Sequence, residues 1–137
     1  MSRPVGRGWA TVELDRAEEE VRKVLVAELL FRDVAAAELL FRHTPRSALL
    51  GARCRRARTP DGEWIVLLEP DTEGRLAAFL ARHGEGWAAT WDTAGPPPSR
   101  VGGRSGVRGP LGPELLAHGQ PVDGPFRLVL TTATIES

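Results

Sequence analysis

The clearest change of hydrophobic period along the chain lies between residues 64 and 92. Trp64-Ile65-Val66-Leu67-Leu68 is a continuous apolar run of strand length. Leu76, Phe79, Leu80 and His83 follow at helical spacing, Gly84 stops them, and Trp87 to Asp92 is again apolar and aromatic. This predicts strand, helix, strand, with Asp71 or Thr72 capping the helix. Upstream, Pro60-Asp61-Gly62 reads as a tight turn pairing the run with a strand over residues 49–59. Residues 9–14 alternate, Trp9, Thr11 and Glu13 on one face and Ala10, Val12 and Leu14 on the other, which predicts a first strand. Asp15 with Glu18 forms a capping-box-like start to a helix over about residues 17–33. The words of residues 27–32 recur at 37–42, a spacing too short for a solenoid unit, and the second copy is assigned to a second strand. Residues 93–113, rich in Gly, Pro and Arg, are expected as long loops or short edge strands. Residues 114–118 and 126–134 complete the strands, the last rich in β-branched residues.

Composition narrows the classes. A chain of 137 residues is the size of one domain with one core. Basic and acidic residues balance at 18 each, which argues against nucleic acid or an anionic membrane as partner. Cys54 stands alone and forms no internal disulfide, no apolar run reaches the ~20 residues of a membrane span, and the amino terminus lacks a secretory pattern. The cytoplasm is the expected compartment.

Leu67-Leu68-Glu69-Pro70, the helical Leu76 to His83, and Gly84-Glu85-Gly86 together resemble the middle of the vicinal oxygen chelate (VOC) superfamily, with a likeness to methylmalonyl-CoA epimerases and glyoxalase-like proteins. Phe31-Arg32-Asp33-Val34, running into Ala37 to Phe41, looks like that family's first helix passing to its second strand. The resemblance covers about residues 9–92; the C-terminal third matches poorly. It implies an α+β fold in which two βαβββ modules form a curled mixed sheet around a cavity. One domain, 1–137, is expected, with module one at about 8–70, an abbreviated module two at about 71–137, and assembly as a homodimer.

Metal-holding members of the family supply one His, Glu or Gln from each of four strands. The resemblance sets these positions at Trp9, Val66, Ala89 and within residues 127–130, where no suitable donor stands, so neither a metal nor another cofactor is expected. Strand parity adds that Trp64 shares a face with Val66, and Trp87 and Trp91 share one with Ala89. Trp9, Thr11, Trp64, Val66, Trp87, Ala89 and Trp91 are therefore expected to line the cavity. Such flat apolar walls suit a planar ligand through stacking, and they serve equally well as the plug of a dead cavity.

Other candidates follow from chemistry. Glu13, inward by the same parity, is the candidate general acid or base. Arg56 and Arg58 share Cys54's face and are candidate anion contacts. His43, His83 and His118 lack carboxylate or cysteine neighbours at ligand spacing. The glycine-rich 102–109 is not a phosphate loop but suits a flap.

Three functions are weighed. The first is a metal-free VOC-fold protein that binds a small aromatic or polyketide-like molecule, as the antibiotic-sequestering, bleomycin-resistance branch of the family does. The second is a metal-independent isomerase, epimerase or cyclase using Glu13, Asp92 or an arginine of 53–58. The third is a structural or partner-binding domain, whose mark would be a cavity filled by its own side chains.

Overall fold

A computed structural model describes residues 4–30, 40–59, 62–93, 106–117 and 124–131. Their elements are β1 (Pro4–Ala10), α1 (Leu14–Leu30), β2 (Arg42–Ser47), β3 (Ala52–Arg58), β4 (Trp64–Pro70), α2 (Arg75–His83), β5 (Gly86–Thr93), β6 (Val107–Gly109), β7 (Gly112–Ala117) and β8 (Phe126–Leu130). The eight strands form one sheet in the order β2-β3-β4-β1-β5-β8-β7-β6. β1 runs parallel to β4 and β5 parallel to β8, while β1 and β5 pair antiparallel at the centre. The two halves of the sheet therefore repeat one pattern, and the curl brings edge strands β2 and β6 together, nearly closing it. This is the α+β architecture expected from the sequence.

Each face of the sheet has its own core. Helix α1 covers the outer face, packing Leu14, Val21 and Leu25 against Ala57, Ile65 and Leu67. The concave face holds Ala10, Cys54, Trp64, Val66, Leu68, Trp91, Leu128 and Leu130, with α2 contributing Leu76 at one end. β4 lies between the two cores, which is why Trp64 to Leu68 are buried without alternation.

Several boundaries differ from the sequence reading, each for a physical reason. β1 ends at Ala10 rather than spanning 9–14: the Thr11 N–H bonds the Leu68 carbonyl, Val12 is exposed, and Leu14 already opens α1. The cap of α1 comes from a distance, since the Leu14 N–H donates to Glu69 Oε2 at 3.4 Å. Asp15 instead meets Arg55 at 2.9 Å. Neither Asp71 nor Thr72 caps α2, because the N-cap is Gly74 at φ 132° and no side chain bonds there. Asp71 is paired with Arg46. Gly84 does end α2, at φ 75°, its N–H donating to the Leu80 carbonyl. The second strand is the polar Arg42–Ser47, C-terminal to the apolar repeat; residues 31–39, the first half of the expected flap (102–105), His118 and residues 132–134 lie outside the described residues.

Candidate functional site

The sheet register defines one row across the concave face. Gly8 on β1 is the partner of Val66 on β4 and of Ala89 on β5, and Ala89 is the partner of Phe126 on β8. Glycine, valine, alanine and phenylalanine offer no side-chain donor atom to a cation. Among the described residues, no three His, Cys, Asp or Glu side chains come together as a metal site requires.

The ring of Trp91 lies over this row. A Cβ built on Gly8 would stand 2.7 Å from Trp91 Cζ3 and 2.8 Å from Leu68 Cδ1, so only glycine leaves room for the indole there. Trp91 is fully buried, as are Val66 and Ala89. Its Nε1 donates to Glu114 Oε1 at 2.9 Å, and Ser47 Oγ donates to Glu114 Oε2 at 2.7 Å. Ser47 closes β2 and Glu114 belongs to β7, so this network joins the two halves of the sheet from the inside. Glu114 is fully buried and takes no ion pair among the described residues; burial pushes its carboxyl above the ordinary range, an effect partly offset by the hydrogen bonds from Trp91 and Ser47. Gly109 accommodates the carboxylate, because a Cβ there would overlap Oε1. Cys54 faces the same interior, and burial pushes its thiol up to about 12.

The expectation that all four tryptophans share the concave face is corrected. Trp64 and Trp91 do, but Trp9 and Trp87 pack on the outer core beside α1 and meet edge to face at 5.0 Å. For Trp87 the cause is a β-bulge: the β1–β5 register shifts between Gly8 and Trp9, so the extra residue Ala88 puts Trp87 and Ala89 on opposite faces. Trp9 leaves the concave face by ordinary alternation, because its neighbour Gly8 is the partner of Val66 there and Trp9 the partner of the outward Leu67. The first cavity-facing position of β1 is thus Gly8, not Trp9. Thr11 lies beyond the strand, with its hydroxyl donating to the Glu13 carbonyl.

Glu13 also leaves the concave face. It is exposed beside the start of α1 and lines a polar cleft of about 360 Å³ with Asp15, Arg53, Arg55 and Glu69. Asp92 is held by Arg127 at 2.7 Å. Among the described residues the most deeply buried carboxyl is Glu114, which the sequence reading passed over as the first residue of a strand. Its signal was faint, a lone acid alternating into a strand beside Gly109 and Gly112.

Arg56 and Arg58 keep their expected face. Their Cα partners on β4 are Val66 and Trp64, and their guanidinium carbons lie 4.8 Å and 5.2 Å from the Trp64 ring centre. Arg42 pairs with Arg56 from β2 and extends the same basic rim. Arg56 Nη1 donates to the Pro110 carbonyl at 3.5 Å, and among the described residues neither Arg56 nor Arg58 has a carboxylate partner. By contrast Arg53 meets Glu69 at 3.3 Å, and Arg55 meets Asp15 and Glu18. At one end of the curl, two guanidinium groups therefore stand over a nearly buried indole with N–H edges available to an acceptor.

The fold has known counterparts. The chain superposes on the methylmalonyl-CoA epimerase from Streptomyces coelicolor in complex with 2-nitronate-propionyl-CoA at a TM-score of 0.64 and 21% identity, covering 100% of this chain and 99% of that one. A hypothetical protein from Bacillus halodurans matches at a TM-score of 0.61 and 16% identity over 99% of both chains. The epimerase from Mycobacterium tuberculosis matches at 0.50 and 22% identity over 66% of this chain, which spans 53% of that enzyme. No family model and no curated protein matches the sequence. The chain has the VOC, glyoxalase-like fold, and these identities carry the likeness no further than the fold.

Proposed function

We propose that this VOC-fold chain is a metal-independent binder of a small planar organic anion, held at the Trp64 end of the curl by Arg56 and Arg58. One observation carries the reading: two guanidinium groups lie over Trp64 without a carboxylate partner among the described residues. A guanidinium stacked on indole keeps its in-plane N–H fork free, so an aromatic carboxylate meets a ring to lie against and a bidentate donor. The central row is no rival site for a cation, because Gly8, Val66, Ala89 and Phe126 supply no oxygen or imidazole donor. Aromatic and polyketide-like acids remain the ligand class, in sequestration or a natural-product pathway. The deep wall expected from four indoles gives way to a shallower seat on one. The similar epimerase is named in complex with an acyl-CoA analogue, itself an anionic small molecule, which agrees with this class.

Isothermal titration with 2-naphthoate tests the proposal. Arg56→Gln with Arg58→Gln, changes at a half-buried and an exposed position, should weaken binding at least about tenfold while leaving thermal stability close to the parent, since charge-assisted hydrogen bonds are worth roughly 1.5–3 kcal/mol. Equal affinity in the double variant, or no binding by the parent at millimolar ligand, would remove Trp64 and the arginines as the site.

A further inference from the structure

A second cleft lies away from Trp64, at the seam where β2 and β6 approach. Its volume is about 670 Å³, and His43, Thr44, Pro45, Arg46, Val107 and Arg108 form its walls together with Ala48. That is within the usual range for small-ligand sites. Among the described residues that line the cleft, the one aromatic ring is the His43 imidazole, and apolar surface comes from Pro45, Ala48 and Val107, which is 37% exposed. Three cationic or ionisable groups surround that floor. Arg46 is occupied by Asp71, and Arg55 Nη2 lies 3.4 Å from His43 Nε2. Arg108 has no partner among the described residues. Beneath the lining, Thr44 Oγ1 is buried without a hydrogen-bond partner among the described residues, a state that costs about 1–3 kcal/mol until something answers it.

We infer that this seam is a separate binding site for an aliphatic carboxylate, the chain lying on Pro45, Ala48 and Val107 and the carboxylate taken by Arg108 and the Thr44 hydroxyl. The apolar floor without a stacking ring selects an alkyl body over an aromatic one. A guanidinium and an unsatisfied hydroxyl on residues lining one cleft select an anionic head with acceptor oxygens. Nothing in this site depends on Trp64, Arg56 or Arg58, so its fate is separate from that of the function proposed above.

The test is isothermal titration of the full chain with octanoate. Binding is expected in the parent, reduced about tenfold or more by Arg108→Gln and reduced by Thr44→Val, with the Arg56→Gln, Arg58→Gln double variant unchanged. Thr44→Val is nearly isosteric and removes an unsatisfied hydroxyl, so it should fold at least as stably as the parent. A weaker affinity in that variant therefore reports the site and not damage. Absence of octanoate binding at millimolar concentration, or affinity unchanged in both Arg108→Gln and Thr44→Val, would overturn the inference; loss in the Arg56 and Arg58 variant alone would move octanoate to the Trp64 site and overturn it equally.

Discussion

Trp91→Ala should lower the unfolding free energy by about 3–5 kcal/mol, the range for emptying a buried tryptophan site, as read from urea unfolding followed by circular dichroism. The ring fills the space above Gly8 and Leu68, and its removal also deprives Glu114 Oε1 of its donor. Trp91→Phe keeps most of the volume and loses the N–H, so about 1–3 kcal/mol is expected for that change. The same space predicts a coupling. Gly8→Ala forces a Cβ within 2.7 Å of the indole and destabilises the parent, yet should cost much less in the Trp91→Ala background. A Trp91→Ala protein within about 1 kcal/mol of the parent would mean that the indole is not the core of the concave face.

Stability should fall as pH rises through the raised carboxyl range of Glu114, a direction opposite to that of an ion-paired carboxylate. The sign follows from linkage. The folded state holds the Glu114 proton more tightly than the unfolded chain, because burial disfavours the anion. The contribution is whole below the ordinary glutamate pKa and is lost as pH climbs through the folded value. Glu114→Gln keeps an acceptor for Trp91 and has no proton to lose, so its stability should change less across that window and exceed the parent's above it. Cys54 adds a second, separate loss from its ordinary 9.0 toward about 12, which Glu114→Gln leaves in place. Thermal unfolding from pH 4 to pH 10 in both proteins reads the difference. Parallel curves would contradict the assignment of Glu114 as the buried, uncompensated carboxyl.

The central strand–helix–strand was readable because each element announces itself locally: a run buried on both faces, a 3.6-residue spacing, a glycine at positive φ. The failures are of another kind. β1 looked like 9–14 because Ala10, Val12 and Leu14 alternate, but the Thr11 N–H makes the last bond to Leu68 of β4, Val12 is exposed, and Leu14 already belongs to α1. Glu69 caps α1 from 55 residues away, a role that no local window contains. The bulge at Ala88 carries no local signature in Trp87-Ala88-Ala89-Thr90-Trp91. Beside it Gly124, far away in sequence, approaches so closely that an added Cβ would overlap the Ala88 backbone. With the bulge, Trp87 moved to the other face, while Trp9 stands there because Gly8, one residue earlier, holds the concave position. Parity along one strand is a dependable guide only until the register shifts.

Those two indoles decide how the concave face is read. Of the positions where the family resemblance expects cation ligands, Val66 and Ala89 lie in one sheet row, which Gly8 and Phe126 complete beneath Trp91, while Glu13, the expected acid, stands outside on the helix side. Glu114 is sealed between Ser47 and Trp91, so an acid–base enzyme would need that network to open before a substrate reached it. A protein filled at its centre and basic at one end is better suited to holding an anion than to Lewis-acid chemistry.

The most direct measurement is a titration of the parent protein with 2-naphthoate before and after exhaustive treatment with EDTA, and again with added cobalt(II). The same affinity in all three is the predicted result, with no visible absorption of protein-bound cobalt at the central row. Binding that disappears on chelation and returns with cobalt would contradict it.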